Sequence, residues 1–128
     1  MRLRELRPVW GGILVVDDED GVRRVIVRAL RGAGHTVHDA GSGEEAAAIA
    51  AGIEPLALAL VDVAVGPERG PTIARRLRAE RPGLRVAYIS GQSPEDLVDA
   101  AQDGAARFLP KPFGADDVVR FVRELLAG

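Results

Sequence analysis

The order of apolar segments in this chain of 128 residues predicts an α/β fold, a five-stranded parallel sheet with helices on both faces. Three observations carry that expectation. Five short, largely apolar runs recur along the chain. Between them lie segments with helical spacing. Helix start and stop residues fall at the joints.

Residues 13–16 form the first apolar run. Val22, Val25, Ile26, Ala29 and Leu30 then make an i, i+3, i+4 stripe with arginines on the other side, and Gly32 and Gly34 end that helix. Residues 36–40 are the second run. Ser42 followed by Glu45 is a capping box opening a second helix, which Gly52 closes. The third run, 56–61, is the most apolar, and Gly70-Pro71 opens the helix after it. Residues 84–89 give the fourth strand, and Ser93-Pro94 supplies a cap with proline at the first helical position. Residues 106–109 are the fifth. A final helix carries Val118, Phe121, Val122 and Leu125 on one stripe, with Val119 and Leu126 beside it, a width that leaves room for a partner or a second copy. Strands without polar alternation need cover on both faces. Right-handed crossovers then leave few arrangements, among them the flavodoxin-like doubly wound order 2-1-3-4-5, a (βα)5 single domain.

Composition narrows the function classes. Apolar residues make up 47% and charged residues 28%, the balance of a globular chain rather than a disordered one. Seventeen basic and nineteen acidic residues leave a net charge of −2, which argues against a broad nucleic-acid surface. With no cysteine, disulfides, thiol catalysis and thiolate metal sites are absent. No apolar run approaches a membrane span, and residues 1–7 lack the apolar core of a secretion signal, so a cytoplasmic location is expected. The arginines at 69, 75, 76, 78, 81 and 85 cluster around the third helix and read as a solvated face.

In an open parallel sheet, ligands bind beyond the carboxyl ends of the strands. The polar residues fall there: Asp17 and Asp18 after the first strand, Asp62 closing the third, Ser90 the fourth, and Lys111 after the fifth. Singly, each has a plain reading. The acidic run 17–20 suits a helix N-terminus, Ser90 a turn, Lys111 a solvated face. Asp62 is different, because a carboxylate ending so apolar a strand needs a partner. Two carboxylates ~5 Å apart repel by roughly 3 kcal/mol at an effective dielectric of 20, more than one lysine offsets. A hard divalent cation on oxygen ligands supplies what is missing, and Mg²⁺ keeping several waters suits so few protein ligands.

Ile13-Leu-Val-Val-Asp-Asp-Glu-Asp20, Asp62 with Gly70 eight positions on, Ile89-Ser-Gly91 and Lys111-Pro-Phe113 together resemble the receiver domain of two-component response regulators. The resemblance implies a leader or linker over 1–11 and a receiver over 12–128. Asp62 is then the phosphoacceptor, taking its phosphoryl group from a histidine kinase or a histidine phosphotransfer protein. Asp18, Asp62 and the Ala64 backbone carbonyl hold Mg²⁺ or Mn²⁺, with Asp17 acting through water. Lys111 and Ser90 contact the phosphoryl group. Ser90 and Phe108 form a switch, and Ala64 and Gln92 tune the phosphate's lifetime. Such a domain is a signalling phosphoacceptor that assists its own phosphorylation and dephosphorylation, not an enzyme in the ordinary sense. It acts on a downstream protein, here without a DNA-binding domain or a membrane segment in the chain, either alone or as a piece of a hybrid kinase.

The match has departures. Ala64 is small where the family is usually bulky, Pro67 comes one position late, and Ser90 replaces the commoner threonine, so the loop after Asp62 is expected to differ in shape. Two other readings remain beside it: a degenerate module that acts without phosphorylation, and a haloacid-dehalogenase-like phosphatase. The second needs an aspartate where Ala64 stands. A nucleotide-binding domain is disfavoured because no glycine-rich loop follows the first strand.

Overall fold

In a computed structural model, residues 11–53, 55–91, 96, 98 and 107–127 are described. Within them the chain runs β1 (Gly12–Val16), α1 (Asp20–Gly32), β2 (Val37–Ala40), α2 (Gly43–Ala51), β3 (Leu56–Asp62), β4 (Ala64–Val65), β5 (Glu68–Arg69), α3 (Gly70–Glu80), β6 (Arg85–Ser90), β7 (Arg107–Pro110) and α4 (Ala115–Ala127). Five strands form one parallel sheet in the order β2-β1-β3-β6-β7, which is the 2-1-3-4-5 order expected for five sequential strands. The helix expected after Ser93-Pro94, the residue Gln92 and positions 1–10 of the leader lie outside the described residues, although Asp96 and Val98 are helical. Among the described residues no helix is long and apolar enough to cross a membrane.

Successive side chains of a strand point to opposite faces, so each central strand feeds two cores. On one face Leu14, Val16, Ala59, Val61, Val86 and Tyr88 pack under Ala46 and Ala50 of α2 and Ile73, Ala74 and Leu77 of α3. On the other, Ile13, Val15, Leu58, Leu60, Ala87 and Ile89 meet Ile26 and Leu30 of α1 and Val118, Phe121 and Val122 of α4. Each fully buried leucine or isoleucine contributes about 1.5–3 kcal/mol. Continuous apolar strands are therefore what a sheet covered on both sides requires.

The helix joints follow local chemistry. Ser42 Oγ accepts the Glu45 N–H at 3.1 Å, the first half of the expected capping box, while the Glu45 carboxylate reaches one residue further back and accepts the Gly41 N–H at 2.7 Å. In α1 the buried face is Ile26, Val27 and Leu30, whereas Val25 is 46% exposed. The expected stripe is thus rotated, because Val22, Ile26 and Leu30 at i, i+4, i+8 set the inner face and Val25 lies outside that arc. Leu125 and Leu126 of α4 both pack against the chain's own core, so of the two residues beside that helix's main stripe Leu126 has an internal partner.

Two arginines of the expected solvated face act as internal ties. Arg81 donates to the carbonyls of Ala50 and Ile53 at the end of α2, the former at 2.6 Å. Arg85 reaches the Leu125 carbonyl near the end of α4. Both satisfy carbonyls that a helix terminus leaves open.

Candidate functional site

Register places the polar residues. Val16 pairs with Val61, Asp62 with Ile89, and Ser90 with Pro110. The residues at or just past these partners, Asp17, Asp62, Ser90 and Lys111, therefore sit level at the carboxyl edge of four adjacent strands. Chain separations are large, yet Lys111 Nζ lies 3.0 Å from Asp62 Oδ2 and 3.9 Å from Asp17 Oδ2.

Asp17 is fully buried. Its Oδ1 accepts the Glu19 N–H at 2.8 Å, while Oδ2 has no hydrogen-bond partner among the described residues. Burial, aided by the nearby Asp62 charge and opposed by the Glu19 N–H, pushes its carboxyl up to about 7. Asp62 is also buried. Oδ1 accepts the Ala64 N–H at 3.0 Å and Oδ2 the ammonium of Lys111. Asp18 stands exposed at the rim, with Oδ2 accepting the Gly66 N–H at 3.0 Å. Burial works against the Lys111 ammonium, but hydrogen bonds to Asp62 and Glu19 outweigh it and raise its pKa further above the lysine range. The ammonium stays charged.

The segment after Asp62 turns back at once. Ala64–Val65 pairs antiparallel with Glu68–Arg69 around Gly66, whose φ of +59° is a conformation glycine adopts without cost. The expected late proline, Pro67, falls within that short hairpin, and its Gly66 N–H is what docks on Asp18. At its far end Gly70 approaches β3 so closely that a Cβ there would stand 2.5 Å from the Asp62 carbonyl oxygen. Glycine at this position lets α3 begin against the strand carrying Asp62.

One carboxylate oxygen from each of Asp17, Asp18 and Asp62 can be chosen so that all three lie within 4.8 Å of one another. Hard oxygen donors in an excess of negative charge, one of them buried and unpartnered, are suited to a divalent cation. The acidic cluster is therefore compatible with a divalent-metal site. Ser90 is buried beside it, and its carbonyl accepts the Lys111 N–H at 2.7 Å. Phe108, on β7 opposite Tyr88, is 43% exposed. Ala64 is half-buried. His35 and His38, read from the sequence as remote from the site, are not in the cluster, and burial followed by the Arg123 charge lowers the His35 pKa.

Two participants were not singled out from sequence. Glu19 does not serve the helix N-terminus with its side chain; its Oε1 accepts from Lys111 Nζ at 3.0 Å. Arg23 donates to the Asp17 carbonyl at 2.6 Å, to Asp39 at 2.8 Å and to Asp20 at 2.7 Å, tying the ends of β1 and β2 to α1. The adjacency of Glu19 to the acidic pair was the one available signal. Arg23 gave none beyond its place one turn into α1.

The family model described as response regulator receiver domain matches residues 13–123. The chain is 38% identical over 116 residues to the sensor kinase CckA of Brucella abortus, a match covering 89% of this chain and 12% of that protein. It is 34% identical over 127 residues to the probable transcriptional regulatory protein TcrX of Mycobacterium tuberculosis, covering 98% and 53%. The chain thus spans about half or less of these curated relatives. Among solved structures, the receiver domain from the hybrid histidine kinase CckA is similar at a TM-score of 0.76 and 34% identity, with 91% of this chain and 99% of that one covered. The receiver domain of NtrX from Brucella abortus gives 0.80 and 30%, covering 90% and 98%.

Proposed function

The chain belongs to the response regulator receiver domain family, and from that membership we propose that Asp62 is its phosphoacceptor. Members of this family are phosphoacceptor modules rather than enzymes in the ordinary sense. The single observation that carries the assignment is the Lys111 ammonium, 3.0 Å from Asp62 Oδ2, on a carboxylate buried at the end of β3. Asp62 oxygen forms a bond to phosphorus as the donor's bond to phosphorus breaks, the donor's leaving group keeping that electron pair. Such transfer needs positioning and charge stabilisation more than covalent assistance.

Asp18, Asp62 and the Ala64 backbone carbonyl would hold Mg²⁺ or Mn²⁺, with Asp17 acting through water; the unpartnered Asp17 oxygen supports this. When bound, the ion supplies positive charge where the phosphoryl oxygens gather negative charge. Lys111 holds one of those oxygens, and the Ser90 hydroxyl donates to another. Ser90 and the exposed Phe108 on β7 then form the switch that changes the surface offered to a downstream protein. Ala64 and Gln92 tune the phosphate's lifetime by controlling water. The donor is a phosphohistidine on a histidine kinase or histidine phosphotransfer protein.

The test is mass measurement after incubation with Mg²⁺ and acetyl phosphate. The chain gains one phosphoryl group and Asp62→Asn gains none. Equal labelling of the variant, or none of the parent, overturns the assignment and favours a module that works without phosphorylation.

A further inference from the structure

Lys111 has three N–H donors on its ammonium. Two carboxylate oxygens take it at 3.0 Å, one from Asp62 on the inside and one from Glu19 on the outside. The Glu19 side chain is 61% exposed and the Asp62 side chain 6%, so Glu19 stands on the solvent side of the lysine that Asp62 touches. A phosphodonor that takes that ammonium from the solvent side meets this carboxylate.

We propose that Glu19 is a specificity-determining residue of the site, a negative charge at its mouth that discriminates against phosphodonors of higher negative charge. The proposal rests on the reading of Asp62 as phosphoacceptor and adds to it which donors the site prefers. Two effects of Glu19 oppose each other. It helps to hold Lys111, and it repels an anionic donor while competing for the same N–H groups. The holding effect is redundant. Lys111 keeps Asp62 as a partner, and its own backbone N–H is bonded to the Ser90 carbonyl at 2.7 Å. Asp18 also carries charge at the rim, but it is the same in parent and variant. A change at residue 19 alone therefore reads the repulsion from Glu19, and that repulsion sets the sign.

Donor charge separates these effects. Acetyl phosphate is a dianion near neutral pH and phosphoramidate a monoanion. Attack by the Asp62 carboxylate on the first releases acetate with the electron pair of the broken phosphorus–oxygen bond. Attack on the second, protonated on nitrogen, releases ammonia with the pair of the phosphorus–nitrogen bond. Charge balances in both. A single repelling charge acts twice as strongly, in energy, on the dianion. Glu19→Gln keeps the length and the acceptor oxygen but removes the charge.

The experiment compares labelling rates of the full chain and Glu19→Gln with both donors, in Mg²⁺, at low and high salt. Glu19→Gln is expected to quicken labelling by acetyl phosphate about four-fold and by phosphoramidate about two-fold, the size one exposed charge carries. Both gains shrink toward unity near 1 M salt, where the Debye length is about 3 Å. Glu19→Asp, which keeps the charge, retains the parent's donor ratio. Equal gains with the two donors, a gain indifferent to salt, or a slower variant overturns the proposal and leaves Glu19 as an anchor for Lys111. A parent chain that takes no phosphoryl group from either donor overturns the Asp62 reading itself, and this proposal with it.

Discussion

Asp17 Oδ2 stands 3.9 Å from Lys111 Nζ, beyond hydrogen-bonding reach, and is buried without another partner among the described residues. The lysine's bonds go to Asp62 and Glu19 instead. A fully buried carboxylate so placed is an electrostatic cost to the metal-free fold, tolerated where a site needs its charge.

The first prediction concerns pH. Burial raises the Asp17 carboxyl to about 7 from an ordinary 3.8, so between those values the folded chain holds a proton that the unfolded chain releases. Stability then falls as pH rises through this window, with a slope of up to about 1.4 kcal/mol per unit. Asp17→Asn removes the term. In chelator-treated buffer above neutral pH the variant is expected to be more stable than the parent by about 1–3 kcal/mol, the difference fading below about pH 4. Added Mg²⁺ reverses the order, because the ion binds the folded parent better than the variant. Urea denaturation across pH, with and without the ion, reads both. A variant less stable than the parent at every pH in chelator rules this out.

A second prediction follows from the approach of α3 to β3. In Gly70→Ala the new methyl carbon meets the Asp62 carbonyl oxygen at 2.5 Å and Val63 Cα at 3.0 Å, both backbone atoms that cannot swing aside. Crowding of this kind costs about 1–3 kcal/mol. Relief requires displacing the end of β3, so labelling of Asp62 is expected to slow as well. Gly32→Ala, where a Cβ meets nothing within 4 Å, is the control and stays within about 1 kcal/mol of the parent. Thermal unfolding of the two variants with matching midpoints counts against this account.

What was legible in the sequence was local or periodic. The five main strands sit within one residue of their expected bounds. The central β1 and β3, covered on both faces, write themselves as unbroken apolar runs, while the edge strands β2 and β7 carry polar residues among the apolar ones. The convergence of Asp17, Asp62, Ser90 and Lys111 was legible for the same reason, since strand order and parallel register bring strand ends together. Side-chain partners were not. Glu19 belongs by local pattern to a helix N-terminus, and only the arrival of Lys111 from β7 gives it another role. Arg81 reads as solvated until α2 ends beside it. Val25 fits a helical stripe by spacing, yet the arc chosen by α1 and its neighbours leaves it outside.

Arg23 carries the third prediction, because its three bonds differ in value. Its partner Asp20 is 75% exposed, so that pair contributes little. The bonds to the Asp17 carbonyl and to Asp39 are more sheltered, and they hold the end of β1 against β2 just where Asp17 and Asp18 begin. Arg23→Met leaves the carbonyl and Asp39 without this donor and is expected to cost about 1–3 kcal/mol. Arg23→Lys recovers only part of that, since a single ammonium cannot reproduce a planar fork that reaches three acceptors. The larger effect falls on the ion. With the ends of β1 and β2 untied, the carboxylates lose their fixed separation, and Mg²⁺ affinity is expected to drop about ten-fold, as it does when groups that orient metal ligands are removed. The Mg²⁺ dependence of the unfolding midpoint measures both quantities in one titration. If Arg23→Met lowers stability but leaves that dependence unchanged, Arg23 braces the strands and does not position the acidic pair.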